Sequence, residues 1–226
     1  VEATGADVTP VIRVNSNSDN GLWALLGTVS LKGKAQVNNN GAGLSVVEAF
    51  NKEITGIMAY FNVYTEDIEV ANNGYDGIKA DKSVFVHGNL TAKNHSGRGV
   101  WAIFNIGLDG TEHLVENNLD GGMWAANGWI DIKGRLTARG NKVGGHHGEE
   151  DSPNRTDVLV GAIEAYRSLH AEDIVIENNI PTGISSWAHM TINGNAVVKN
   201  NALRGIYAHD NIAILGSEHV IMGNGG

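Results

Sequence analysis

The side chains of this sequence that could serve a ligand or a reaction are five tryptophans, a scatter of carboxylates and one histidine-rich stretch. Tryptophan and tyrosine present flat apolar faces with a polar tip, a surface that suits the apolar side of sugar rings. Carboxylates suit glycoside hydrolysis when two of them stand about 5–9.5 Å apart, and the candidates are Asp76, Asp81 and Asp120. Glu66-Asp67 and Glu172-Asp173 are too far apart along the chain and read as bend residues. His146 and His147, followed by Glu149, Glu150 and Asp151, have the composition of a divalent-ion site. No helical or hairpin spacing makes these groups converge, so no metal and no cofactor is assigned. Gly-x-Ser-x-Gly, His-Glu-x-x-His and a phosphate-binding glycine loop ahead of a helix are all absent.

What positions these residues is a repeat. Gly77-Ile78-Lys79-Ala80 recurs as Gly99-Val100-Trp101-Ala102, Gly122-Met123-Trp124-Ala125 and Gly205-Ile206-Tyr207-Ala208. Further copies start at Gly21, Gly56 and Gly183, and the weakest is Gly161-Ala162-Ile163-Glu164. Five of the seven glycine spacings are 21–23 residues; the other two, 35 and 39, read as one coil plus an insertion. Each copy continues with period-2 alternation, as in Val84-x-Val86-x-Gly88-x-Leu90-x-Ala92-x-Asn94, which marks short strands with one buried face. Three such strands per turn predict an all-β fold, a parallel β-helix (solenoid) of about eight coils of ~22 residues. Right-handed winding is the expectation. One domain spanning 1–226 is expected, with insertions at 41–55 and 140–157.

The 26 asparagines and 30 glycines among 226 residues now have places. Asn39, Asn72, Asn94, Asn117, Asn178 and Asn200 close successive coils and are read as a buried asparagine ladder. Ser45-Val46-Val47-Glu48 is a capping box that predicts a short helix at about 46–51 in the first insertion. The second insertion has the composition of an exposed loop. Two sequons, Asn89-Leu90-Thr91 and Asn154-Arg155-Thr156, are also present. Both chain ends cut across coils without a cap, which predicts a segment of a longer protein or ends that stack on something else.

In Gly-h-x-Ala the x position faces outward. This column reads Trp23, Met58, Lys79, Trp101, Trp124, Ile163, Ser185 and Tyr207. The next outward position adds Leu25, Tyr60, Asp81, Ile103, Ala126, Trp187 and His209. Four of the five tryptophans thus fall on one sheet, and Trp129 sits in the following bend. The two insertions should flank this face about four coils, or roughly 19 Å, apart. The expected ligand-binding residues are Trp101, Trp124, Lys79, Asp81, Tyr207 and Trp187, with His146, His147 and Arg155 as loop contacts.

A formal charge of −9 argues against nucleic acid, which needs clustered Lys and Arg. No run approaches the roughly 20 apolar residues of a membrane span. The absence of cysteine excludes disulfide scaffolds, thiolate zinc sites and cysteine nucleophiles.

The coils Gly77–Asn94, Gly99–Asn118 and Gly183–Asn201 resemble the pectate-lyase-like right-handed parallel β-helix superfamily. Within it they are most similar to β-helix binding regions of Gram-positive, lactobacillus-type cell-surface adhesins. The Arg-x-Pro-x-x-Arg stretch of pectate lyases is absent, as are the Asn-Thr-Asp, Asp-Asp and Gly-His-Gly motifs of polygalacturonases. No catalytic residue carries over. The resemblance implies a segment of a bacterial surface adhesin displayed outside the cell, binding carbohydrate or a host extracellular-matrix or mucosal ligand. The alternatives are a polysaccharide lyase or glycoside hydrolase acting in the same groove, and a structural stalk that self-associates through uncapped solenoid ends.

Overall fold

A computed structural model describes residues 11–41, 48, 52–142 and 161–225. It is a parallel β-solenoid of about eight turns, built almost entirely of strands three to five residues long. The first sheet stacks Leu22–Ala24, Ile57–Ala59, Ile78–Ala80, Val100–Ala102, Met123–Ala125, Gly161–Ala165, Thr182–Ser186 and Ile206–Ala208. The second begins Val29–Leu31, Val63–Thr65, Val84–Val86, Ile106–Leu108, and the third begins Val11–Arg13, Lys34–Asn38, Ile68–Ala71, Leu90–Lys93. Second and third sheets become continuous where Ile130–Arg139 and Leu169–Glu177 run through the corner between them.

Alternation decides what lies inside. In the first sheet Ile57, Ile78, Val100, Met123, Ile163 and Ile184 stack in one interior column, and Ala59, Ala80, Ala102, Ala125 and Ala165 in the next. A large aliphatic beside an alanine lets three sheets converge on a narrow core. Each fully buried Ile or Leu contributes about 1.5–3 kcal/mol relative to exposure.

Two expectations need correction. The copy at Gly161 is displaced by one residue: Met123 pairs with Ile163 and Trp124 with Glu164, and Gly122 N–H donates to the Ala162 carbonyl at 2.7 Å. Ala162 therefore holds the glycine position, Ile163 faces the core, and Glu164 takes the outward slot assigned to Ile163. The physical reason is burial: placed outward, Ile163 would leave a glutamate pointing into the apolar interior.

The asparagine ladder is also one residue further on. Asn39, Asn72, Asn94, Asn117, Asn178 and Asn200 have φ between 52° and 58° and are exposed. They bend the chain in the left-handed region that asparagine tolerates. The buried asparagine rungs are the successors Asn40, Asn73, Asn118, Asn179 and Asn201, together with Asn141, which follows Gly140 at φ 63°. Each amide donates to the rung of the next coil or to a neighbouring carbonyl, as in Asn118 Nδ2 to Asn141 Oδ1 at 2.9 Å and to the Ala92 carbonyl at 3.2 Å. One rung is a histidine. His95 Nδ1 accepts from Asn73 N–H at 3.2 Å, and Nε2 faces the Val70 carbonyl at 3.2 Å. Those partners fix the neutral tautomer with its proton on Nε2, an acceptor and a donor placed as in an asparagine amide. Burial pushes its pKa down to about 4.

The helix expected at about 46–51 lies outside the described residues except for Glu48, which is helical and accepts from Lys52 N–H at 3.1 Å. Among the described residues no helix is long and apolar enough to cross a membrane.

Candidate functional site

The outward column of the first sheet runs in register as Trp23, Met58, Lys79, Trp101, Trp124, Glu164, Ser185 and Tyr207. Parallel in-register pairing brings Trp101 and Trp124 together, ring centroids 6.3 Å apart and tilted by 58°. Both are half-buried, and the Trp101 indole nitrogen is inside, without a hydrogen-bond partner among the described residues. Cations already occupy their faces: Lys79 Nζ lies 5.1 Å from the Trp101 ring and Arg98 Cζ 4.4 Å from that of Trp124. Lys79 also pairs with Glu53 at 2.8 Å. Glu164 and Ser185, further along the column, are almost fully buried despite their outward positions.

Beside the tryptophans, where the coil turns into the first sheet, Arg98 stands between two carboxylates. Its backbone N–H donates to Asp76 Oδ1 at 2.7 Å, and its Nη2 is 3.5 Å from Asp120 Oδ2. Asp76 and Asp120 are 1% and 2% exposed, so the carboxylates proposed as an acid–base pair are covered and committed to Arg98. Burial pushes the Asp76 carboxyl up, and Arg98 opposes that shift. The Tyr75 phenol is pushed up as well, by burial and then by Asp76. Such a cluster holds register between coils; it presents no nucleophile to solvent. Asp81, half-buried, follows Tyr60 in the next outward row, where its N–H donates to the Ala59 carbonyl at 3.0 Å.

That next row opens toward the far end of the sheet. Tyr166, Trp187 and His209 stack in successive coils, with centroids 6.1 Å and 6.5 Å apart and interplanar angles of 32° and 17°. Tyr166 is 50% exposed, and Trp187 Nε1 donates to Glu164 Oε1 at 3.4 Å. In the first column Tyr207 lies under Arg204, whose Cζ is 4.8 Å from the ring. The structure therefore divides the predicted residues into two groups. Lys79, Trp101 and Trp124 form one cluster, while Trp187 and Tyr207 belong to another near the far end. A frame starting at Gly161 does not place Tyr166 in this row; the apolar alternation through Ile163 and Ala165 is the signal in the sequence that does. His146, His147 and Arg155 lie outside the described residues.

Among the described residues no group of three or more His, Asp or Glu could hold a metal ion. No family model, no curated protein and no solved structure matches this chain.

Proposed function

We propose that this chain is the glycan- or matrix-binding segment of a bacterial cell-surface adhesin, displayed outside the cell, and that the first sheet supplies the contact face. The observation that carries the reading is the row Tyr166–Trp187–His209, three rings stacked on successive coils with Tyr166 half exposed. A row of rings at the coil spacing offers an extended ligand repeated apolar contacts, and Asp81 lies on the same face to meet hydroxyls. Tyr207 extends that surface, while Lys79, Trp101 and Trp124 form its closed middle section. Glycan-array binding of the full chain tests the reading. Retained binding in Tyr166→Ala plus Trp187→Ala overturns the far-end assignment, and retained binding in Trp101→Ala plus Trp124→Ala removes the tryptophan pair from the contact. Display is tested by fractionating producing cells: recovery of the protein in the cytosol alone overturns it.

A further inference from the structure

The second sheet carries an aromatic lane of its own. Tyr64 and Phe85 are paired in register, with ring centroids 5.5 Å apart and planes within 14° of parallel. The next residue in that outward column is Gly107, and beyond it lies Asp131. In the other described coils the same slot holds a side chain: Ser30, Tyr64, Phe85, Asp131, His170, Thr191 or Ala213. A Cβ here would come 2.9 Å from Phe85 Cδ1, so any larger residue forces that ring to shift. The bare backbone is roofed by Phe85 and by Trp129, whose centroids are 6.5 Å apart. Tyr64 is 36% exposed, and Phe61 and Phe104 on the adjoining corner are 42% and 36% exposed.

A polar lane runs beside the rings. Two residues along each strand, on the same outward face, lie Glu66, His87, Asp109 and Lys133, all exposed. His87 Nδ1 and Asp109 Oδ2 are 3.1 Å apart. With Asp131 the border holds three carboxylates and one lysine. Carboxylates accept hydrogen bonds from hydroxyls and repel anions, so the border favours an uncharged polyol over an acidic chain. Flat rings next to a row of acceptors match the two sides of a sugar, one made of C–H groups and the other of hydroxyls.

We infer that Tyr64, Phe85 and Trp129 form a second binding lane, specific for a neutral glycan chain laid along the solenoid axis, with Asp109 and Asp131 accepting from its hydroxyls. The lane shares no residue with the first-sheet site and does not depend on that reading. Its test is calorimetric titration of the full chain with neutral hexasaccharides of β-glucan, mannan and galactan, with polygalacturonate and chitosan oligomers as charged controls. The expected result is binding of at least one neutral oligomer that weakens about tenfold or more in Tyr64→Ala and in Trp129→Ala. Asp109→Asn plus Asp131→Asn should weaken it less, Glu112→Gln on the third sheet should leave it unchanged, and Trp101→Ala plus Trp124→Ala reports separately on the first sheet. Tyr64 is at the surface, so its variant keeps the test valid if the Trp129 variant does not fold; thermal melts identify that case. Failure to bind any neutral oligomer, tighter binding of either charged control, or loss of binding only in the first-sheet variants each overturns the inference. The last outcome leaves the first-sheet reading standing.

Discussion

The two aromatic regions of this solenoid use the same residue types for opposite ends. Trp101 and Trp124 on the first sheet are half-buried, carry Lys79 and Arg98 on their faces and border the buried carboxylates Asp76 and Asp120. Tyr64, Phe85 and Trp129 on the second sheet pack on one another over a glycine, with an exposed polar row beside them. In the first region the polar groups are inside and the rings help to cover them. In the second the polar groups are outside, no cation lies over the three rings among the described residues, and Tyr64 is exposed while Phe85 and Trp129 are half-buried. An aromatic row in a sequence therefore does not mark a binding face by itself. Whether ring faces are already occupied by the protein's own cations decides how much surface is left for a ligand.

That contrast predicts a graded response to substitution. The largest effect belongs to Arg98→Ala, which leaves Asp76 and Asp120 buried without their guanidinium; loss of one partner from such a cluster costs about 3–5 kcal/mol. Denaturant unfolding measures it, and adding Asp76→Asn and Asp120→Asn should restore part of the loss. If Arg98→Ala is nearly neutral, the closed region is not the stabilising one.

The next effect is acid-dependent. His95 must be neutral to fill its rung, and its folded-state pKa of about 4 lies below the ordinary 6.5. Between those values the unfolded chain binds the extra proton, so stability is complete above about pH 6.5 and falls as pH drops toward 4. Asp76 acts in the opposite direction, because its carboxyl is pushed up in the fold and acid relieves that cost. The informative measurement is therefore the difference between wild type and His95→Asn across pH 4–7, where the variant should lose the histidine-dependent part of the decline. An unchanged difference at all pH values would remove His95 from the acid response.

Asn118→Ala deletes one rung. It leaves the His95 N–H and the Asn141 and Ala92 acceptors short of a partner and should cost about 1–3 kcal/mol. Asn117→Gly, at the left-handed position beside it, should change stability by only a few tenths of a kcal/mol. That pair of results checks which of two adjacent asparagines holds the stack.

On the second sheet the effects should be small. Gly107→Ala forces Phe85 to move and should cost about 1 kcal/mol. Tyr64→Ala, at an exposed site, should stay within about 0.5 kcal/mol of wild type. Thermal melts that rank Tyr64→Ala with Arg98→Ala would erase the distinction between a closed and an open region.

The period was legible because every coil repeats the same local problem. Glycine before Ile78, Val100 and Met123, alternation through Val84 and Val86, and asparagine at the close of each coil recur at about one coil's spacing. Spacing does not decide between two neighbouring residues that can each fill one role. Asn72 and Asn73 are chemically identical, and only the backbone shows that the first bends at φ 52° while the second turns inward. Gly161 and Ala162 are both small enough for the tight turn position, and the pairing of Ile163 with Met123 chooses Ala162.

The sequence by itself determined the solenoid, its coil length, its inward alternation and the sheet on which most tryptophans lie, because these follow from spacing along one chain. Tertiary structure alone decided which rings stay open. The cover over Trp101, the approach of Arg98 to Asp76 and Asp120 across coils, and the gap at Gly107 that Phe85 and Trp129 share all depend on side chains about 22 residues apart meeting in space. Stacking converts sequence period into contact, but side-chain packing between coils decides which of those contacts close a surface and which leave it free.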